Sequence, residues 1–213
     1  MSAIAITRQR AVTWLRERFR MDGMSRADAA RWAACQTPAD LGEMVVAWLG
    51  GEVAQTPGHC GPPCTETIPL IPVLTAVNRA GFVTDNSQRA DGRDGRTWNT
   101  WVIGFADDAA VAALRAAADG AGLVFNACRD PEHQCSEQPW GWPHCPRDDA
   151  TGFWADACPA VAGWLWDSWW VYIEDPEDGR NDRLWPALEA FADGQSCPYA
   201  ICHHNHPEPG WGQ

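Results

Sequence analysis

The sequence predicts an α+β fold: a small mixed sheet of about four strands, helices on one or both of its faces, and an N-terminal helical lobe. Three observations carry that expectation. Apolar residues recur every three or four positions in several windows, short apolar runs stand between those windows, and glycines or prolines punctuate the joins. The stretch from Pro69 to Phe125 shows all three. A helix over Pro69–Arg79 buries Leu70, Val73, Leu74 and Val77, carries Asn78 in its last turn, and stops at Gly81. A short run follows (Phe82 to Thr84), then a second (Thr97 to Phe105), a crossover helix (Asp108 to Asp119) and a third run (Leu123 to Phe125).

Val12, Leu15 and Phe19 make Ala11–Phe19 an amphipathic helix, and Ser25 with Asp28 three positions on reads as a capping box for a second one reaching Trp32. Thr37 and Pro38 are a cap and a first-turn residue; Leu41, Met44, Val45 and Trp48 then share one face until Gly50 and Gly51 end the helix. Residues 1–51 thus form a helical lobe, and residues 52–68 a loop of Cys, Pro and Gly. Residues 69–193 are the α/β core, interrupted at 127–167 by an insert rich in Trp, Cys, Pro and His with no convincing period. Within the core, Trp169–Ile173 is the fourth strand, Glu174–Arg180 an acidic turn, and Asn181–Ala192 a helix capped by Asn181 or Asp182, with Pro186 near its first turn and Gly194 at its end. Residues 194–213 are a Cys/His tail.

Trp32 with Thr37–Gly51, Leu70–Gln88, Gly104–Phe125 and Trp170–Phe191 together resemble an uncharacterised family, a domain of unknown function of Streptomyces-type actinobacteria and their mobile elements. The resemblance spans most of residues 31–192 and implies no activity. It does imply that the loop Thr84–Gln88 and the turn Glu174–Asp182 are shared features.

Composition narrows the function classes. With 213 residues, 46% hydrophobic and 21% charged, the chain can bury one sizeable core and is not a disordered polymer. A net charge of -12 with scattered arginines disfavours nucleic acid as a partner. No apolar run approaches the roughly 20 residues of a membrane span, and the stretch before Arg8 is too short for a signal peptide, so a cytoplasmic protein is expected. There the nine cysteines serve as thiols or metal ligands, with Cys35 and Cys128 read as small buried hydrophobes.

The clearest chemical signal is the pooling of Cys and His. Zinc takes four such ligands, often from cysteine pairs on tight loops. Cys60 and Cys64, separated by Gly61, Pro62 and Pro63 and flanked by His59, form one group; His133, Cys135, His144 and Cys145 form a second. The tail supplies Cys197, Cys202, His204 and His206, a potential four-ligand set and the favoured zinc site. Cys60 and Cys64 are spaced too widely for the usual two-residue redox motif.

A second constellation lies at strand ends, where α/β proteins bind ligands. Asp85, Ser87, Glu174 and Asp175 are the candidate catalytic residues, while Thr84, Asn86, Gln88, Arg180 and Asn181 are candidates for holding a ligand. A third group is made of tryptophans, from Trp140 and Trp142 through Trp154, Trp164 and Trp166 to Trp169 and Trp170, expected to brace the insert. The leading expectation is an accessory or regulatory protein, braced by zinc, that recognises a protein partner or a small polar ligand. The competing one is a hydrolase or transferase working between the 84–88 and 174–182 loops.

Overall fold

The computed structural model describes residues 24–90, 99–129, 147–177 and 179–194; the helix expected over residues 11–19 lies outside them. The described chain is an α+β fold. In order it forms α1 (Arg26–Ala33), α2 (Pro38–Leu49), a 3-10 turn (Ile68–Leu70), α3 (Ile71–Arg79), β1 (Val83–Gln88), β2 (Trp101–Ala106), α4 (Asp108–Ala121) and β3 (Val124–Cys128). Then come α5 (Arg147–Ala157), a second 3-10 turn (Pro159–Val161), α6 (Ala162–Asp167), β4 (Trp169–Glu174) and α7 (Leu184–Gly194).

The sheet order is β1-β2-β4-β3, and each neighbouring pair is antiparallel. The expected mixed sheet is therefore corrected to an antiparallel one. The reason is the placement of β4, which enters between β2 and β3. The crossover through α4 exists, but the two parallel strands it joins do not touch. By the same logic β1 and β4 run parallel with β2 between them, so both leave the sheet at one end.

Local signals set most boundaries. The Ser25 hydroxyl accepts the Asp28 N–H at 3.0 Å. Thr37 and Asp40 make a reciprocal capping box. Gly81 has φ 95°, a left-handed conformation that favours glycine and ends α3. Asn78 then acts as a clamp: its Nδ2 donates to the Leu74 carbonyl at 2.7 Å and to Thr84 Oγ1 at 2.8 Å, and its Oδ1 accepts the Thr84 N–H at 2.9 Å. Thr84 is thereby committed to joining α3 to β1. Helix α2 can cross α3 at this point because residue 42 is glycine; a Cβ there would sit 2.5 Å from the Asn78 carbonyl oxygen.

Two expectations change. Neither Asn181 nor Asp182 caps α7, which begins at Leu184, because the Asn181 amide is spent on Ala90 and the Asp182 carboxylate on Arg180. The segment expected to be an irregular insert is in its second half helical, residues 147–167. Trp154, Cys158, Val161 and Leu165 are spaced by four, three and four, and all are buried. Gly152, Pro159 and Gly163 disguise that helical stripe, and Pro159 divides it with a 3-10 turn.

Helices α3 and α4 pack against the strands, and α7 packs on both of them. The face that carries Phe105 is aromatic: Phe105 meets Trp170 edge-on at 4.9 Å and Trp154 at 5.9 Å, and Trp154 in turn meets Trp32 of α1 at 5.5 Å. One buried apolar cluster runs without a break from Trp32 to Phe191.

Candidate functional site

The end of the sheet at which β1 and β4 depart carries a polar network. Gln88 pairs with Trp101, and Trp101 with Glu174. Thr100 ties the strands together: its hydroxyl donates to the Gln88 carbonyl at 2.9 Å, and its own carbonyl accepts the Asp175 N–H at 3.0 Å. Beyond the strands, Asn181 imitates a backbone partner, accepting the Ala90 N–H at 2.9 Å and donating to the Ala90 carbonyl at 3.0 Å. The chain leaving β1 and the acidic turn leaving β4 therefore lie on the same side and are fastened to each other.

Each carboxylate of the turn has a different situation. Asp175 is fully buried and gripped by two prongs of Arg183, one of them Nε to Oδ2 at 2.9 Å and the other Nη2 to Oδ1, with the Glu177 N–H adding 3.0 Å. Burial alone would raise its carboxyl, but the Arg183 hydrogen bonds, the Glu177 N–H and the nearby guanidinium charges outweigh that and hold it below the usual carboxylate range. Arg180 forks onto Asp182 at 2.8 and 2.7 Å and reaches Glu177 at 2.7 Å, which brings the Asp182 carboxyl down to about 2. Those charges are spent within the turn. Asp178 lies outside the described residues.

Glu174 differs. It is 2% exposed, and its one partner among the described residues is the Asn99 amide, which donates to Oε1 at 2.5 Å. The Asn99 Oδ1 beside it is buried and accepts no hydrogen bond among the described residues. A carboxyl group and a bare amide oxygen stand together with one donor between them. Buried acceptors left without donors are costly, so this pair calls for a further donor.

Asp85 is elsewhere. The β1–β2 register slips between Thr84 and Asn86, making Asp85 the extra residue of a β-bulge. Although part of the residue is exposed, its carboxylate turns inward: Trp154 Nε1 donates to Oδ1 at 2.6 Å, and a Cβ on Gly58 would collide with that same oxygen. Burial pushes the Asp85 carboxyl up, against the pull of the Trp154 N–H and of His59. Asp85 and Glu174 sit on strands with one strand between them, a separation of about 10 Å across the sheet. Ser87 pairs in the row of Val102 and Ile173, next to the row of Glu174, so its side chain points to the opposite face. The Ser87 N–H donates to the Asn86 side chain at 2.8 Å.

Cys60 and Cys64 are exposed free thiols, and His59 packs edge-on against Trp48 at 5.5 Å. Among the described residues no three His, Cys, Asp or Glu side chains gather as a metal site. His133, Cys135, His144, Cys145, Cys197, Cys202, His203, His204 and His206 lie outside the described residues, as do Trp140 and Trp142. Of the other tryptophans, Trp154 and Trp170 belong to the core and Trp166 is 43% exposed. Sequence reasoning missed Asn99, a polar residue in an unpatterned loop. It also missed a cavity of about 420 Å³ between α1, α2 and the end of α3, lined by Arg31, Cys35, Asp40, Glu43, Glu52 and Arg79 among others. The charges there are paired, Arg79 with Glu43 at 2.9 Å and Arg31 with Glu52 at 3.7 Å.

Residues 27–138, just over half of the 213-residue chain, match a family model described as Domain of unknown function (DUF6919). No curated protein matches the chain. The matched span contains α1 to β3, with Asp85 and Asn99, whereas Glu174 and the acidic turn follow it. No helix among the described residues is long and apolar enough to cross a membrane.

The Asp85 environment gives a pH signature. A carboxyl whose folded pKa is raised contributes stability that is complete below about pH 4 and is lost as pH rises through the raised pKa, because the folded state holds the proton more tightly. Asp85→Asn keeps an acceptor for Trp154 and removes that loss. Urea unfolding of both proteins from pH 4 to pH 8 should show the variant gaining on the wild type as pH rises, by up to about 1.4 kcal/mol per unit between the two pKa values. A difference that stays constant with pH would refute the assignment.

Proposed function

The chain belongs to this family of unknown function, and from the geometry of its own sheet end we propose that it is a cytoplasmic accessory protein that binds a cationic hydrogen-bond donor, an ammonium or guanidinium group. The carrying observation is the Glu174–Asn99 pair: a carboxylate 2% exposed beside an amide oxygen that is buried and, among the described residues, unpartnered. Two acceptors side by side favour a ligand that brings several donors and positive charge, and the net charge of -12 draws such a ligand in. The group can belong to a free amine or to a Lys or Arg of a protein partner. The described cysteines are all free thiols, as a cytoplasmic setting requires.

Binding is favoured over catalysis for a geometric reason. A hydrolase or transferase working between the two loops would need Asp85 or Ser87 to face Glu174 or Asp175. Asp85 is held by Trp154, Ser87 points to the other face, and Asp175 is occupied by Arg183. Among the described residues, Glu174 is left without a second catalytic group beside it.

Zinc bracing is a separate part of the proposal. Cys60 and Cys64 offer two exposed thiols on one loop, and two more ligands would come from Cys197, Cys202, His204 and His206. Native mass spectrometry of the full chain should show one tightly held zinc that is lost in a Cys60→Ser/Cys64→Ser variant. Metal-free protein after purification with zinc present would remove the brace and leave the Glu174 site untouched.

Titration of isotope-labelled protein with L-arginine, putrescine and a Lys/Arg-containing peptide tests the main claim. Amide and side-chain NMR shifts should concentrate at Asn99, Trp101 and Glu174, and Glu174→Gln should weaken binding at least tenfold while the protein stays folded. A response to the peptide alone would identify a partner's side chain as the natural ligand. No shift at these residues with any probe at millimolar concentration would overturn the reading.

A further inference from the structure

Cys35 and Cys158 were not brought together by any sequence pattern, yet they occupy equivalent places on two packed helix ends. The Cys35 N–H donates to the Trp32 carbonyl at 3.2 Å, and the Cys158 N–H to the Trp154 carbonyl at 2.9 Å. Each cysteine thus follows by one turn a tryptophan of the edge-to-face pair, whose rings are 5.5 Å apart. The indole contact sets the two helix ends against each other, and the two thiols are neighbours in one buried cluster, where Cys35 Sγ also donates to the Arg31 carbonyl at 3.9 Å. Both residues are free thiols in the apolar core, at 3% and 0% exposure.

The two thiols are nevertheless unequal. Cys35 lines the cavity of about 420 Å³ beside Arg31 and Arg79, so a small solute entering there meets its side of the pair; Cys158 is closed off behind it. The hydrogen bond from Cys158 holds the Cys35 thiol below the ordinary thiol range, against burial and the Asp40 charge, while the same bond and burial push Cys158 up. The thiolate is the nucleophilic form, so polarisation and access favour the same member of the pair.

We propose that Cys35 and Cys158 form a peroxide-responsive dithiol in which Cys35 reacts through the cavity and Cys158 closes a disulfide. The Cys35 thiolate attacks one oxygen of hydrogen peroxide; the O–O bond breaks, hydroxide departs and takes up the proton lost by the thiol, and Cys35 becomes a sulfenic acid. The Cys158 sulfur then attacks Cys35 Sγ, the S–O bond breaks, and the oxygen leaves as a second water with the Cys158 proton. Two thiols are oxidised to one disulfide and one peroxide is reduced to two waters. The new bond joins the α1–α2 junction to the turn after α5, closing a loop of more than a hundred residues, which stiffens the wall of the cavity and restrains the unfolded chain.

The test is peroxide titration of the full-length folded protein, followed by alkylation and non-reducing peptide mapping by tandem mass spectrometry. A Cys35–Cys158 cross-link should form before global unfolding, be reversed by dithiothreitol, and raise the thermal midpoint by several degrees. In Cys158→Ala, Cys35 should accumulate as a sulfenic acid trapped by dimedone. If that variant does not fold, the cross-link map of the wild-type protein decides by itself. Oxidation confined to the exposed Cys60 and Cys64, with Cys35 and Cys158 recovered as free thiols from the folded protein, would overturn the proposal.

Discussion

The structure depends on where Trp154 can put its ring and its N–H. The ring lies on Phe105 at the middle of the sheet and meets Trp32 of the first described helix; the N–H donates to Asp85, the bulged residue of β1. One residue of α5 therefore sets the packing of α1, the placement of the loop at Gly58 and the direction of a strand irregularity. A carboxylate drawn into an aromatic face is costly unless a donor meets it, and an indole buried on both faces has room for only one acceptor. The two requirements are satisfied by each other.

The helices α1 to α4 and the cores of the strands were legible because each carries both a periodic apolar face and a terminal signal: Ser25 and Asp28, Thr37 and Pro38, Gly81, and Asp107 before α4. What was not legible depended on distance along the chain. Nothing local says that β4 inserts between β2 and β3, because strand neighbours are decided by which faces bury one another; hence the sheet is antiparallel where a mixed one was expected. The helices between residues 147 and 167 were hidden by glycine and proline, which lower helix propensity but do not forbid a stripe made of Trp154, Cys158, Val161 and Leu165. The start of α7 moved because Asn181, a good cap by composition, found a better use bridging to Ala90.

The candidate site was legible in part, for a similar reason. Strand-end carboxylates can be seen in a sequence, but their availability cannot. Asp175 and Glu174 are adjacent and chemically alike; alternation along the strand sends one to Arg183 and the other to Asn99. The expectation that treated Asp85, Ser87, Glu174 and Asp175 as one group had no access to the bulge or to the row structure that distributes them. Thr84 was expected to touch a ligand, and its bonds to Asn78 make it part of the frame instead.

The most direct measurement is a double-mutant cycle on Trp154 and Asp85, using Trp154→Phe, Asp85→Ala and their combination, with unfolding free energies from urea denaturation at pH 7. Trp154→Phe keeps most of the ring on Phe105 and removes the donor, so it should cost about 2–4 kcal/mol, and the two substitutions should be coupled by about 1 kcal/mol or more. Additive effects, agreeing within about 0.5 kcal/mol, would show that indole and carboxylate do not stabilise one another and would contradict the account of how this fold is held together.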